Sequence, residues 1–294
     1  MQRTYMAEVV RGGLAFGEGP RWHDGRLWYS DFWRHAVFSM SADGSSERLE
    51  LSVPTQPSGL GWLPDGSMLV VSMTDRCVLR WSPGTEPTVH ADIAEHCGHW
   101  ANDLLVGPDG TAYVGNFGFD LDAFIADEGA AALYSSPGPP RTNLVVLAPS
   151  GQVRQVVPDL AFPNGMVLTD AGKTLIVAET MASRLTAFDV ADDGTLANRW
   201  RFASLAGVAP DGICLDAEGQ VWVANAVGHE AVRVSSGGEV TAVATSSGNC
   251  YACALGGEDG RQLYMITGRT SNAEANQSGL NGHVEVARVD VPSA

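Results

Sequence analysis

Polar side chains occupy matched positions in a pattern that recurs along this chain. Each unit of the pattern contains a short apolar run, a turn with a glycine, and a second apolar run. Ser58, Asn102, Asn164 and Asp211 stand eight residues before the turn glycine of their units, and Glu18 stands seven residues before it in the first unit. Four of these residues are acids or amides, which offer the hard oxygen atoms that divalent cations prefer as ligands.

The units that carry these residues have the pattern of β-hairpins. Two apolar runs of strand length around a glycine turn predict a pair of antiparallel strands. Successive turn glycines are separated by 41, 44, 62, 47 and 41 residues. A repeat of roughly forty residues with strand character is typical of a propeller, so six units predict an all-β, six-bladed β-propeller. The six glycines are Gly25, Gly66, Gly110, Gly172, Gly219 and Gly260.

This architecture decides where the polar residues should lie. Equivalent positions in successive blades have the same height around the axis, so Glu18, Asn102, Asn164 and Asp211 should converge at one mouth of the central channel. The sequence therefore predicts a single metal site in that channel. The alternative is that each Asn or Asp only caps the start of a strand, as turn residues commonly do.

Composition bounds the class of protein. The chain has 294 residues, of which 45% are hydrophobic and 8% aromatic, enough for one sizeable core. We therefore expect residues 1–294 to form a single propeller domain. The formal net charge is −16, with 18 basic against 34 acidic residues. This balance argues against nucleic acid and anionic membranes as partners, because both require clustered Lys and Arg.

The cysteines and the N-terminal residues bear on the compartment. The first residues lack the continuous apolar segment of a signal peptide, and no run of about eighteen apolar residues occurs. Five cysteines without a framework spacing favour a reducing, cytoplasmic setting. Cys250 and Cys253 form a lone C-x-x-C without a second pair, so we interpret them as two buried strand thiols.

Two segments outside the hairpins have expected roles. The N-terminal strand at residues 4–10 should pair with the last blade, beside the strands at 263–267 and 283–291, and so close the ring. The insertion at 118–141 separates two strands of the third blade and is rich in Ala, Pro, Gly and acidic residues. A segment of this length is either disordered or functional. It is a lid if it leaves the blade on the active face, and otherwise a solvated surface loop.

Four segments of the hairpin units read GEGPRWHDGRLWYSD, NDLLVGPDGTAYVGNFG, FPNGMVLTDAGKTLIVAET and PDGICLDAEGQVWVAN. They resemble the signatures of one known family, the gluconolactonase, senescence-marker-protein (regucalcin) and luciferin-regenerating-enzyme family. The resemblance covers about residues 18–267 and implies a six-bladed propeller that holds one divalent cation in its channel. Carried over by motif, it implies that the metal ligands are Glu18, Asn164 and Asp211, and that Asn102 contacts the substrate or a metal-bound water. Calcium is the favoured cation, with zinc, manganese, magnesium and iron as alternatives.

These residues suit hydrolysis of a lactone or a related ester. A cation with few protein ligands polarises a carbonyl and lowers the pKa of bound water. Asp211 can accept a proton from the attacking water as general base, and the amide of Asn102 can stabilise the developing oxyanion. The chain lacks the G-x-S-x-G elbow of serine hydrolases. We therefore expect a divalent-metal-dependent hydrolase of small-molecule lactones or esters.

Two other functions fit the same residues. An organophosphate hydrolase would use the same site, with Asp211 as nucleophile or a metal-bound water as the attacking group. A non-catalytic propeller that binds a cation or a metabolite needs no reaction at all, and a fold by itself never establishes an enzyme. The sequence does not indicate an oligomeric state.

The residues just before Asn102 depart from the resembled family. Sugar-acid lactonases of that family often carry an arginine there, whereas this chain has His99 and Trp100. An indole gives an apolar wall, and Phe117 and Phe119 are candidates to extend it. We therefore expect His99, Trp100 and both phenylalanines near the substrate, and a substrate less polar than gluconolactone. The alternative is that Trp100 only packs at the rim.

Trp100→Arg tests this expectation. A guanidinium can pair with a carboxylate and an indole cannot, so the substitution should shift preference toward polar sugar lactones and leave the metal content intact. The measurement is the kcat/KM ratio of an alkyl or aromatic lactone to gluconolactone in both proteins. An unchanged ratio would show that Trp100 does not set specificity.

Overall fold

β-Strands account for nearly all the regular structure. The computed structural model describes residues 2–294. The N-terminal segment contains β1 (Arg3–Met6) and β2 (Glu8–Leu14). The next strands are β3 (Gly17–His23), β4 (Arg26–Asp31), β5 (Ala36–Met40) and β6 (Arg48–Ser52). They are followed by β7 (Pro57–Trp62), β8 (Met68–Ser72), β9 (Cys77–Trp81) and β10 (Thr88–Asp92).

The second half of the chain continues the same series. The third group contains β11 (Ala101–Val106), β12 (Ala112–Asn116), the helix α1 (Leu121–Glu128), β13 (Thr142–Leu147) and β14 (Val153–Leu160). The fourth contains β15 (Pro163–Thr169), β16 (Thr174–Glu179), β17 (Arg184–Val190) and β18 (Leu196–Ser204). The fifth contains β19 (Pro210–Leu215), β20 (Val221–Asn225), β21 (Glu230–Val234) and β22 (Val240–Thr245). The last contains β23 (Asn249–Gly256), β24 (Gln262–Gly268), the helix α2 (Ala273–Gln277) and β25 (Gly282–Arg288).

The strands form six sheets, each one a blade whose consecutive strands pair antiparallel. Blades one to five take four consecutive strands each, beginning with β3, β7, β11, β15 and β19. Blade six contains β23, β24 and β25, and its fourth strand is β2 from the N-terminal segment. The prediction of an all-β, six-bladed propeller is therefore confirmed. That residues 1–294 form one domain stays a prediction. Neither helix in the described part of the chain is long and apolar enough to cross a membrane.

The N-terminal segment closes the ring differently from the expectation for residues 4–10. β2 pairs antiparallel with β25, from Glu8 opposite Val286 to Leu14 opposite Gly282. The closing strand therefore lies a few residues later in the sequence than expected. β1 instead pairs parallel with β22 and becomes a fifth strand of blade five. The segment thus joins the last two blades, because the break at Ala7 lets its two halves pair with different sheets.

The core lies between the blades. Buried side chains form six clusters among the described residues, one between each pair of neighbouring sheets. Blades three and four, for example, meet through Leu144, Val146, Leu175 and Val177, which are all fully buried. Because every blade buries both faces against its neighbours, the strands contain continuous apolar runs. This arrangement leaves the inner strands, which line the axis, to carry the polar residues.

The first strand of every blade bulges at its axial end. Its pairing with the second strand skips one extra residue in each blade, as between Pro163 and Met166 or between Pro210 and Ile213. A bulge of this kind bends the strand and turns a side chain toward a new direction. Several of these bulges contain a glycine, because neighbouring inner strands approach closely there. A Cβ on Gly165 would lie 2.5 Å from the backbone oxygen of Asp211.

Gly165→Ala should therefore destabilise the propeller. The new methyl group would overlap the backbone of the neighbouring blade, and such overpacking costs about 1–3 kcal/mol. Gly268→Ala is the matched control, since its Cβ would meet only the ring of Tyr251 at an ordinary 3.5 Å. Urea unfolding of both variants measures the free energies. Equal stability of the two variants would contradict close contact between the inner strands of blades four and five.

Candidate functional site

The bulges bring the predicted polar residues together at one end of the channel. Glu18 lies on β3, Asn102 on β11, Asn164 on β15 and Asp211 on β19. All four are at most 7% exposed, and all four line one cavity of about 260 Å³, which we call the main cavity. We call these four residues the channel cluster. The convergence that the sequence predicts is thus present in the structure, although the role of each residue stays a prediction.

Buried polar groups at the ends of the second strands hold the segments that lead into the inner strands. The carboxylate of Asp31 accepts hydrogen bonds from the backbone N–H groups of Ala15 (2.9 Å) and Phe16 (3.1 Å), just before β3. The carboxylate of Glu179 accepts one from Ala161 (2.8 Å), just before β15. These bonds satisfy backbone donors that a bulged strand would otherwise leave unpaired.

A chain of hydrogen bonds orients the two amides of the channel cluster. The Ser58 hydroxyl donates to Oδ1 of Asn102 at 2.9 Å, and Nδ2 of Asn102 donates to Oδ1 of Asn164 at 3.1 Å. Nδ2 of Asn164 donates to Thr180 Oγ1 at 3.2 Å, and that hydroxyl donates to the carbonyl oxygen of Pro210 at 2.8 Å. The amide oxygen of Asn164 is therefore turned away from Thr180, toward Asn102. One hydrogen of the Asn102 amide remains for another acceptor.

The acids beside these amides are buried together. Burial raises the pKa of Glu18 well above its usual value, and the charges of Asp211 and Asp103 add to the effect. Burial also raises the pKa of Asp211 well above its usual value, with a further contribution from Asp103. Burial raises the pKa of Asp103, and the nearby positive charge of Arg21 lowers it in part. The site thus concentrates three carboxyl groups where water cannot stabilise their charges.

This set of donors fits a hard divalent cation. Glu18 uses only Oε2 in a hydrogen bond, from the backbone N–H of Gly19 at 2.9 Å. Oδ1 of Asp103 is buried without any hydrogen-bond partner. No group of three or more His, Cys, Asp and Glu side chains within residues 2–294 is arranged to hold a metal ion. Glu18 and Asp211 would need the amide oxygen of Asn164 as the third ligand, and calcium accepts amide oxygen.

The insertion at 118–141 forms one wall of the main cavity. It contains α1 and a short 3-10 turn at Ala130–Tyr134, and Asp120 caps α1 by accepting a hydrogen bond from the N–H of Ala123 at 3.0 Å. Its apolar side chains face the channel cluster across the cavity. This placement favours the lid interpretation over a solvated loop. The lining residues of the insertion are Leu121, Ile125, Ala130, Leu133 and Tyr134.

The residues proposed for substrate contact separate into three environments. Phe117 lines the main cavity and stacks on Phe162, with ring centroids 4.4 Å apart. His99 and Trp100 instead line a smaller neighbouring cavity of about 70 Å³, which we call the side cavity. Phe119 lines neither cavity and packs against Phe124 of α1. Trp100 therefore lies beside the main cavity rather than above the channel cluster, because Phe117 stands between them.

Sequence spacing misses Tyr251, which occupies the sixth equivalent position. In blade six the pairing skips one residue between Cys250 and Ala252, and Tyr251 is the residue in that bulge. Its ring lies 4.8 Å from that of Phe16, and burial raises the pKa of its hydroxyl to about 12. Counting back eight residues from Gly260 reaches Ala252, because the segment from the bulge residue to the turn glycine is one residue longer in this blade than in blade three. Repeat spacing alone therefore does not identify Tyr251.

Comparison with known proteins agrees with this geometry. Residues 16–269 match the profile of the family described as SMP-30/Gluconolactonase/LRE-like region. The chain is 23% identical over 258 residues to regucalcin from Gallus gallus, covering 85% of this chain and 82% of that protein.

Solved structures with the same fold include two bacterial proteins. One is a calcium-binding protein, regucalcin, from Agrobacterium tumefaciens, with a TM-score of 0.80, 19% identity, and coverage of 100% of this chain and 98% of the other. The other is a gluconolactonase from Xanthomonas campestris, with a TM-score of 0.72, 21% identity, and coverage of 97% and 89%. At these identities the likeness establishes the fold alone.

The fold and the site define a class of protein, a six-bladed propeller with a buried set of acids and amides at one channel mouth. The family profile matches most of the propeller of this chain. The chain belongs to the SMP-30/gluconolactonase/LRE-like family.

Glu18→Gln should have opposite effects without and with a cation. The raised pKa values mean that the cation-free folded state binds these protons more tightly than the unfolded chain. This contribution to stability is present at acidic pH and is lost as the pH rises through the raised pKa values. Removing one charge should therefore raise the Tm of the chelator-treated protein at pH 8 by about 2–4 °C. It should also remove most of the Tm gain on adding calcium.

Glu86→Gln is the control for this experiment, because Glu86 is an exposed acid outside both cavities. Differential scanning calorimetry at pH 5 and pH 8, with chelator and with calcium, measures both effects. A calcium-induced Tm gain that survives in Glu18→Gln would contradict a metal-binding role for Glu18.

Proposed function

We propose that the protein is a divalent-cation-dependent hydrolase that opens a small lactone or a related ester. The observation that carries this proposal is the convergence of Glu18, Asn102, Asn164 and Asp211 on the floor of one cavity. These residues supply carboxylate and amide oxygen atoms, and a bound cation would offset the cost of burying the charges of Glu18 and Asp211 together, which their raised pKa values reflect. Membership of a family that includes gluconolactonases supports the same reaction class.

The proposed ligands are Glu18, Asn164 and Asp211. A cation held there would polarise the carbonyl of the substrate and lower the pKa of an attacking water. Calcium is the first candidate, because a related propeller is described as calcium-binding and the set is all oxygen. The hydrogen bond from Nδ2 of Asn164 to Thr180 turns the amide oxygen of Asn164 away from Thr180, and one lone pair of that oxygen remains for a cation beside the hydrogen bond from Asn102.

The remaining steps use side chains of this protein. Asp211 accepts the proton of the attacking water, whose oxygen adds to the carbonyl carbon of the lactone. The free N–H of Asn102 donates to the oxygen that gains negative charge. When the ring C–O bond breaks, the protonated Asp211 returns its proton to the departing alkoxide, and the product is a hydroxy acid.

The walls of the main cavity favour a substrate with apolar surface. Phe117, Phe162, Leu133 and Tyr251 face it, and the polar groups are confined to the floor and to a rim near Arg269. Its volume of about 260 Å³ lies just below the range that drug-sized ligands occupy, so the substrate should be small. We therefore propose a preference for small alkyl or aromatic lactones and esters over gluconolactone. We also propose a cytoplasmic location, on the evidence of the cysteine pattern.

Asp211→Asn should abolish most hydrolysis while the protein stays folded. The substitution removes the proton acceptor and one anionic ligand, and general-base contributions alone amount to about 10²–10⁴-fold in kcat. The measurement is hydrolysis of an alkyl lactone, an aryl ester and gluconolactone by chelator-treated protein reloaded with calcium, manganese, zinc, magnesium or iron(II). Asp24→Asn is the control, since the side chain of Asp24 is 87% exposed.

Two results would overturn the proposal. Activity that is unchanged after chelation would remove the cation from the reaction. Activity on a phosphotriester without activity on any lactone or ester would instead favour the organophosphate alternative.

A further inference from the structure

The side cavity has features that the proposed hydrolysis does not use. It lies between blade two, the entrance to blade three and the start of α1. It shares a wall with the main cavity, formed in part by Phe16, Phe32 and Phe117. Trp33 and Trp100 complete an enclosure of five aromatic rings around a space of about 70 Å³. That space admits a small group of a few heavy atoms.

Two residues that line this cavity each have a buried side-chain atom without a hydrogen-bond partner. Oε1 of Gln56 is buried and makes no hydrogen bond, and the residue is only 4% exposed. Nδ1 of His99 is also buried and unpartnered. Nε2 of His99 lies 3.8 Å from Oδ2 of Asp120, and burial lowers the pKa of the ring. We assign the proton of the neutral ring to Nε2, because this nitrogen is the one nearer to the carboxylate. Nδ1 is therefore an acceptor, like the oxygen of Gln56.

The charges around the cavity have one sign. The carboxylates of Asp120 and Asp122 line it, and no Lys or Arg does. Asp122 uses Oδ2 to accept a long hydrogen bond of 3.4 Å from the backbone N–H of Ala273 at the start of α2. Asp120 uses Oδ1 to cap α1. Neither contact is with a Lys or Arg side chain, and the partial positive charge at the N-terminus of α1 offsets only part of the charge of the two carboxylates.

We propose that the side cavity is a binding subsite for a small primary ammonium group. Aromatic faces attract cations, and enclosures of aromatic rings are the usual means by which proteins recognise organic ammonium ions. A primary ammonium carries three donors and no acceptor, so it can satisfy both Gln56 and His99. A hydroxyl group has one hydrogen and satisfies only one of them. The two carboxylates add long-range attraction that a neutral group would not feel.

The ammonium group has two possible sources that share this chemistry. It is a substituent of the molecule hydrolysed in the main cavity, reaching past Phe117, or it belongs to a separate small amine. The subsite itself does not depend on the proposed hydrolysis. Binding can therefore be measured whether or not the protein proves to be a lactonase.

The test uses propylamine as probe and 1-propanol as its neutral counterpart. Isothermal titration calorimetry of the full-length protein in amine-free phosphate buffer at pH 7.5 should show binding of propylamine at least about tenfold tighter than binding of 1-propanol. Gln56→Met keeps the length of the side chain and removes its acceptor, and it should abolish the difference. Asp122→Asn keeps an acceptor for Ala273 and removes the charge, and it should weaken propylamine binding about tenfold.

Two controls separate the side cavity from other acidic sites. Gln152→Met changes a glutamine that lines neither cavity and should leave binding unchanged. Glu18→Gln reports whether the amine binds the channel acids instead, and it should also leave binding unchanged. Binding that is lost in Glu18→Gln, or that persists in both Gln56→Met and Asp122→Asn, would overturn the proposal. Equal affinity of the unsubstituted protein for propylamine and 1-propanol would overturn it as well. Asp122 is exposed, so its replacement should leave the protein folded.

If the subsite binds propylamine, a comparison of two esters identifies the source. An ester with a terminal amine should have a higher kcat/KM than the same ester with a terminal hydroxyl if the substrate carries the ammonium. Propylamine that binds without competing with the ester would assign the subsite to a separate amine.

Discussion

Negative charge buried on the propeller axis is the constraint on which the rest of the site depends. Burial raises the pKa of Glu18, Asp103 and Asp211, and the charge of Asp103 raises the pKa of the other two further. The charge of Arg21 opposes this for Glu18 and Asp103, and its guanidinium donates to the carbonyl oxygens of Pro20 and Leu104 rather than to these carboxylates. Buried charge without a counter-charge is costly, and a protein keeps it where a ligand supplies the missing charge. The same cost explains why the amides beside the acids are oriented by hydrogen bonds rather than left free.

The bulges make this burial compatible with a stable propeller. A regular strand would alternate its side chains between the two neighbouring blades, and neither direction leads to the channel mouth. One extra residue in each inner strand turns Asn164 and Asp211 toward the axis, and close approach of the backbones is possible because Gly165 has no Cβ. The backbone donors near the bulges are then held by strand-end acids such as Asp31 and Glu179. Stability of the blades and geometry of the site therefore depend on the same few contacts.

The specificity of the site is built separately from its floor. The floor comes from repeat positions, whereas the walls come from irregular segments: the insertion at 118–141 and the loop after β24. These segments also divide the space above the axis into a main cavity with apolar walls and a side cavity with acidic and aromatic walls. Phe117 belongs to both, because it leaves β12 at the point where the insertion begins. Substitutions in the insertion could change the substrate without disturbing the channel cluster.

By itself, the sequence determined the six blades and the convergence of Glu18, Asn102, Asn164 and Asp211. Both follow from a hairpin pattern that repeats with nearly constant spacing, and a propeller converts equal spacing into equal height on the axis. Spacing failed for Tyr251, where one extra residue between the bulge and the turn shifts the count, and it placed the closing strand too early. Only the tertiary structure decided that Trp100 and His99 line a second cavity with Gln56, and that the insertion forms a wall. These contacts join segments from different blades, and no local pattern in the chain records which irregular segments will meet.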